Sequence, residues 1–185
     1  ASAPIEKAFR DYSVEEPVSD EVFEAYLQMY HYDDTPLNSV DIELIEGTLY
    51  TRERIEINAA YNDERLTVFV FLPKAEKFSP PYQTIVYFPG SNDIYKRSYD
   101  ELQLRTMNFI LSSGRALVYP VYKGTYERGS DLRSDIQDNS NLYRDHMIAW
   151  AQDIGRTSDY LETRADIDKE RLAYLGLSWG GAMGP

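Results

Sequence analysis

Cysteine is missing from this chain of 185 residues. Its absence excludes disulfide frameworks, thiolate metal sites and cysteine nucleophiles. Cationic side chains are few, since 19 Lys and Arg stand against 31 Asp and Glu and give a formal net charge of −12. Because nucleic-acid backbones and anionic membrane surfaces attract clustered Lys and Arg, we expect neither as a partner.

Long apolar runs are also lacking. The longest, such as residues 68–72, fall far short of the roughly 20 residues that span a bilayer, and no targeting segment is evident. We therefore expect a soluble protein and favour the cytoplasm as its compartment. Sequence patterns for phosphate loops, dinucleotide binding, zinc proteases and EF-hands do not occur either, so the sequence implies no metal and no cofactor.

The composition that remains, with 43% hydrophobic and 14% aromatic residues, suits a compact core. Residues 1–17 are polar and acidic and predict an extended arm. A short helix should follow, because apolar side chains recur at i, i+3, i+4 and i+7 after a capping Ser19 or Asp20. These apolar positions are Phe23, Tyr26, Leu27 and Tyr30. We interpret residues 1–47 as an arm and helix that pack on the body.

Strand signals dominate the rest of the chain. Two strands are predicted at residues 48–58 and 66–72 from alternation and β-branched content, and buried strands at 84–88, 116–121 and 172–177. Helices are predicted between the later strands from two sets of apolar residues. The sets are Leu104, Met107, Ile110 and Leu111, and Met147, Trp150, Ala151, Ile154 and Leu161. The order of these strands and helices along the chain predicts an α/β fold with a mixed, mostly parallel sheet and helices on both faces.

The most informative motif is G-x-S-x-G, formed by Gly176, Ser178 and Gly180 directly after the last predicted strand. Glycines around a serine allow the strained turn that lifts a nucleophilic hydroxyl out of a sheet. A helix beginning at Trp179 would point its N–H groups at charge that develops on a substrate oxygen. The alternative is a glycine-rich connection between strand and helix that carries an ordinary serine.

With this motif the chain resembles the α/β-hydrolase superfamily over roughly residues 48–185. Within it, residues 86–91, 122–129 and 159–168 are similar to the branch of prolyl oligopeptidases, dienelactone hydrolases and acetyl xylan esterases. The resemblance implies that Ser178 is the nucleophile and that Gly176 and Gly180 shape its elbow. It further implies that the backbone amides of Trp179 and Ser91 form the oxyanion hole, with Asn92 as the fallback for Ser91.

The superfamily supplies an acid and then a histidine after the serine, but the sequence given ends at Pro185. We therefore expect an Asp and a His from beyond residue 185, an incomplete domain whose partner is the rest of the same domain, and no activity in this piece alone. His31 and His146 are expected to be surface or hydrogen-bonded histidines. Asp166 and Asp168 are expected to form a turn at the opposite end of the sheet.

These inferences predict a serine hydrolase that acts on a small-molecule carboxylic ester. Two alternatives stay open: a serine peptidase of the prolyl-oligopeptidase type, and a non-catalytic binding or regulatory module. Loops set the substrate in this superfamily, so the sequence does not identify it. Tyrosines near the strand ends are expected to pack and to bond solvent or backbone, and Lys96, Arg97 and Arg128 to form a solvated, salt-bridged surface.

Overall fold

The computed structural model describes residues 11–102, 104, 107–129 and 131–184, so the first ten residues of the predicted arm lie outside the described residues. The described residues form two compact units, which divide between His31 and Tyr32. In the first unit, helix α1 (Asp20–Leu27) follows Ser19, whose hydroxyl accepts a hydrogen bond from the Val22 amide at 3.4 Å. The predicted helix and its cap are therefore confirmed, whereas the packing of this helix on the body stays a prediction.

The second unit is built on a six-stranded sheet in the order β1-β2-β3-β5-β4-β6. The strands are β1 (Val40–Glu46), β2 (Tyr50–Asn58), β3 (Arg65–Pro73), β4 (Tyr82–Phe88), β5 (Ala116–Pro120) and β6 (Ile167–Gly176). The pairs β1–β2, β2–β3 and β3–β5 are antiparallel, while β4 pairs parallel with both β5 and β6. Strands β2, β5, β4 and β6 consequently run in one direction, with β1 and β3 in the other. The predicted mixed sheet is confirmed, with four of its six strands aligned, although three of the five strand pairs are antiparallel.

Strand β1 was not predicted from the sequence. Three of its seven residues are acidic, and Asp and Glu have low strand propensity. The strand forms because it pairs along its length with β2, where Arg52 and Glu43 are 2.6 Å apart in a cross-strand ion pair. Pairing with the next strand therefore outweighs the low intrinsic strand propensity at this edge of the sheet.

Helices cover both faces of the sheet, as predicted. Successive residues of a strand point to opposite faces. On β3, Val68 and Val70 join the apolar cluster that includes Leu161 of helix α3 (Asn141–Glu162). Phe69 and Phe71 join the opposite cluster, which includes Ile110 and Leu111 of helix α2 (Asn108–Ser112). Within the described ranges, no helix combines the length and the apolar character needed to cross a bilayer.

Helix α2 is shorter than the sequence predicts. The expected positions Leu104, Met107, Ile110 and Leu111 are all buried in one cluster, but the helix begins only at Asn108. Met107 instead donates its amide to the Leu104 carbonyl at 2.7 Å in a turn. The spacing correctly predicted a shared buried face, although not a continuous helix. Gly114 ends the segment with φ +81°, in the left-handed region that suits a glycine.

Helix α3 buries a polar stripe that sequence reasoning missed. Ala151, expected on its apolar face, is exposed, whereas Asp153 is fully buried. The Asp153 carboxylate accepts hydrogen bonds from Arg128 and Tyr61, each at 2.8 Å, and from the Lys123 amide at 3.0 Å. Arg128 is therefore a buried partner of Asp153 and not the solvated surface cation that we expected.

Candidate active site

The G-x-S-x-G segment forms a sharp turn between strand and helix. Strand β6 ends at Gly176, and helix α4 (Trp179–Met183) begins three residues later. Between them, Ser178 has φ 53° and ψ −106°, a backbone conformation that non-glycine residues rarely adopt. Such a conformation costs about 1–3 kcal/mol and persists only where the surroundings enforce it. The turn leaves Ser178 exposed at the C-terminal edge of the sheet.

Close backbone approaches account for the glycines on either side. A Cβ on Gly176 would lie 2.6 Å from the amide nitrogen of Gly181 and closer still to the Gly180 carbonyl, so no side chain fits there. Gly180 is equally tight against Phe88 of the neighbouring strand. The motif therefore requires glycine at these two positions because the backbone is closely packed where β6 leads into α4.

The loop after β4 is hydrogen-bonded to the same turn. Because β4 and β6 are parallel, their C-terminal ends meet at one edge, and Phe88 is the register partner of Gly176. The Leu177 amide donates to the Phe88 carbonyl, and the Gly180 amide donates to the Pro89 carbonyl, both at 3.0 Å. The Pro89 carbonyl therefore binds the turn directly.

Gly90, in the loop after β4, lies against Ser178. A Cβ built on Gly90 would be 3.8 Å from the Cβ of Ser178, which is ordinary van der Waals contact. Ser91 then opens a 3-10 turn, Ser91–Ile94. The structure thus brings Ser178, Trp179 and the segment with Ser91 and Asn92 to one edge of the sheet.

The Trp179 indole anchors the start of α4. The side chain is buried in edge-to-face contacts with Trp150 and Phe88, at ring-centroid distances of 4.8 and 4.9 Å. Its backbone amide is one of the first N–H groups of the helix, which have no partner within the helix. In the described part of the chain, neither this amide nor that of Ser91 donates a hydrogen bond. They are therefore candidates for the two oxyanion donors that the resemblance implies.

A buried carboxylate lies beside this loop. Asp93, within the 3-10 turn, is only 7% exposed. It accepts hydrogen bonds from the hydroxyls of Tyr119 and of Tyr126, the latter at 2.7 Å, and Lys96 lies 2.6 Å from its other oxygen. We expected such tyrosines to bond solvent or backbone, so this prediction was wrong for both. Sequence reasoning missed the cluster because β5 and the loop after it bring the tyrosines to Asp93.

The other titratable candidates lie elsewhere. His146 bonds the Leu142 carbonyl through Nδ1 at 2.8 Å, and its Nε2 is 3.5 Å from Asp131. It is therefore a buried, hydrogen-bonded histidine in α3, while His31 belongs to the first unit. Asp166 ion-pairs with Arg164 at 2.6 Å just before β6, at the end of that strand opposite Ser178.

Asp168 likewise lies at the start of β6, where its carboxylate accepts a hydrogen bond from the Glu170 amide at 3.2 Å. Both aspartates thus occupy the end of the sheet that the sequence predicted for them, but only Asp166 lies in a turn, because Asp168 already belongs to β6. Among the described residues, no three or more His, Asp or Glu side chains are grouped to hold a metal ion.

Comparison with solved structures identifies the fold. Similar structures include a protein described as an acetyl xylan esterase from Bacteroides fragilis (TM-score 0.64, 16% identity, 88% of this chain covered) and an acetyl xylan esterase from Paenibacillus sp. R4 (0.57, 17%, 89%). A glucuronoyl esterase from Solibacter usitatus is also similar (0.52, 19%, 82%). No family model and no curated protein sequence matches the chain. These likenesses, all below 20% identity, show that the chain has the α/β-hydrolase fold.

The chain spans about half the length of the structures it resembles. It covers 47%, 50% and 52% of the Bacteroides, Solibacter and Paenibacillus chains, respectively.

Proposed function

We propose that the protein is a serine hydrolase that cleaves a small-molecule carboxylic ester, with Ser178 as its nucleophile. The observation that carries the proposal is the backbone of Ser178, an exposed residue at the sharp turn between β6 and α4 with φ 53°. Strain of this kind is typical of sites where a side chain must be held in position for chemistry. The esterase names of the similar structures support the choice of an ester as substrate.

In the proposed reaction, the Ser178 hydroxyl oxygen bonds to the ester carbonyl carbon while a histidine takes its proton. The carbonyl oxygen becomes an oxyanion, which the Trp179 and Ser91 amides bind. Collapse of this intermediate breaks the bond to the alcohol, which leaves with the proton from the histidine. Water then attacks the acyl-enzyme, releases the carboxylic acid and restores the serine.

The second part of the proposal concerns the catalytic base and the acidic residue that orients it. An alcohol is a weak nucleophile at neutral pH and needs a neighbouring base. His146 is hydrogen-bonded within α3, and Asp166 and Asp168 lie at the other end of β6. We therefore propose that an Asp and a His from beyond residue 185 complete the triad, so that the rest of the domain is the partner this chain requires. The half coverage of the similar structures supports this view.

The test uses the full-length protein and two substrates, p-nitrophenyl acetate and an acetylated sugar. We expect hydrolysis of both by the wild type and a loss of about 10⁴-fold or more in kcat for Ser178→Ala, a size typical for removal of a triad member. Ser158→Ala is a matched control, since it removes a serine hydroxyl that donates within α3, to the Ile154 carbonyl at 3.0 Å. Equal activity of Ser178→Ala and wild type would overturn the proposal.

A further inference from the structure

The Asp93 cluster belongs to the same turn as the proposed second oxyanion donor. The Asp93 amide donates to the Gly90 carbonyl at 3.2 Å, so Gly90, Ser91, Asn92 and Asp93 form one tight unit. A shift of the Asp93 side chain would move this unit as a whole, because a 3-10 turn of four residues has little internal freedom. The position of the Ser91 amide therefore depends on what holds Asp93.

Three partners hold the carboxylate. Tyr119 extends from β5, Tyr126 comes from the loop that follows β5, and Lys96 lies in the chain just after the turn. Burying a carboxylate is costly unless hydrogen bonds and an opposite charge compensate, and these three groups supply both. Both tyrosine side chains are about 1% exposed. The Asp93 carboxylate is thus hydrogen-bonded to β5, the strand that pairs with β4.

The two hydroxyls act as fixed donors. Burial raises the pKa of both hydroxyls, Tyr119 and Tyr126, and the negative charge of Asp93 adds to the rise. Each therefore stays protonated over the working pH range and can donate to Asp93. The backbone of Tyr126 has φ 48°, an uncommon conformation for tyrosine. The same residue places its hydroxyl on the Asp93 carboxylate. Such strain persists only where surrounding contacts enforce it.

We propose that Asp93 is a positioning residue, whose carboxylate, held by Tyr119 and Tyr126, fixes the turn that presents the Ser91 amide to the substrate oxyanion. This inference rests on the proposed function. It differs from a purely structural role because it ties the cluster to stabilisation of the transition state. Loss of one oxyanion donor typically lowers kcat about 10²–10³-fold, and a misplacement of about 1 Å can cost about 10²-fold.

The test compares Asp93→Ala and Tyr126→Phe in the full-length protein. We expect kcat to fall about 10²-fold for Asp93→Ala and about 10-fold for Tyr126→Phe, which keeps Tyr119 as a donor, with KM changed less than about threefold. Tyr82→Phe is the matched control, since it removes a tyrosine hydroxyl bond of 3.1 Å, to the Phe78 carbonyl, at the opposite end of β4. Its kcat should equal that of the wild type.

A second readout separates positioning from general loss of structure. Inhibition by a trifluoromethyl ketone, which mimics the tetrahedral oxyanion, should weaken in Tyr126→Phe by the same factor as kcat/KM, in protein that thermal unfolding shows to be folded at the assay temperature. An unchanged kcat in folded Tyr126→Phe and folded Asp93→Ala would overturn the inference. If Asp93→Ala does not fold, Tyr126→Phe decides alone. Full activity of Ser178→Ala would instead overturn the proposed function, and this inference with it.

Discussion

A Cβ on Gly180 would lie 2.8 Å from the carbonyl carbon of Phe88 and closer still to its oxygen. The backbone of α4 therefore touches the backbone at the end of β4 with no room for a side chain. This contact holds the turn of Ser178 against the loop that carries Ser91.

We predict that Gly180→Ala destabilises the protein by about 1–3 kcal/mol, the usual cost of overpacking a tight contact. Gly181→Ala is its control, because a Cβ there would first meet the Gly176 carbonyl oxygen at 3.5 Å, an ordinary distance. Chemical unfolding of the full-length variants measures the difference. Equal stability of the two variants would show that the Gly180 contact is less tight than described.

Replacement of Ser178 should reverse a common order of stability. Glycine is usually less stabilising than alanine by about 0.5–1 kcal/mol, but φ 53° strains alanine by about 1–3 kcal/mol and glycine hardly at all. We expect Ser178→Gly to be more stable than Ser178→Ala by about 1 kcal/mol, with both inactive. Urea unfolding of the two variants checks this prediction, and a more stable Ser178→Ala would argue against a strained turn.

The buried ion pair of Asp153 and Arg128 should contribute far more to the stability of the protein than exposed ion pairs do. Asp153→Asn leaves the Arg128 guanidinium buried without its main partner, and removing one member of a buried pair typically costs about 3–5 kcal/mol. On the same helix, Asp145→Asn removes an exposed pair with Arg144 and should cost at most about 1 kcal/mol. Thermal unfolding should separate the two variants clearly, and similar melting temperatures would contradict the burial of the first pair.

The Asp166 carboxyl should contribute to acid sensitivity. Burial raises its pKa, but hydrogen bonds from Arg164 outweigh that effect and hold the pKa below the ordinary value of 3.8. Its stabilisation is therefore present at neutral pH and is lost as the pH falls through the lowered pKa of the folded state. We expect Asp166→Asn to be less stable than the wild type at pH 7.

Below about pH 4, where unpaired carboxyls bind protons, the stabilities of wild type and Asp166→Asn should converge. Arg164→Gln should flatten the same part of the pH profile, because Arg164 is the main cause of the lowered Asp166 pKa. A gap in stability between wild type and Asp166→Asn that is the same at pH 3 and pH 7 would contradict this assignment.

Much of the sheet could be predicted because its strands carry local signals. Apolar runs and β-branched residues predicted β2 to β6, and the motif around Ser178 predicted the turn at which it lies. Strand β1 could not be predicted in this way, since its acidic residues disfavour strands and its pairing with β2 decides its conformation.

The candidate active site also combines features that the local sequence predicts with features that it does not. Ser178, Gly176 and Gly180 are neighbours in sequence, so their geometry follows from local chain constraints. The Asp93 cluster depends on β5 lying beside β4, and the buried pair of Asp153 with Arg128 depends on α3 packing near the loop after β5. Contacts between elements distant in sequence leave no local pattern, so both polar clusters emerged only from the structure.

The most direct test of the account is covalent labelling of the full-length protein with a fluorophosphonate, which phosphonylates an activated serine and releases fluoride. Mass spectrometry of digested protein should find the label on the peptide that contains Ser178, and Ser178→Ala should abolish it. Undiminished labelling of Ser178→Ala, or a label on a different serine, would contradict the assignment of Ser178 as the nucleophile.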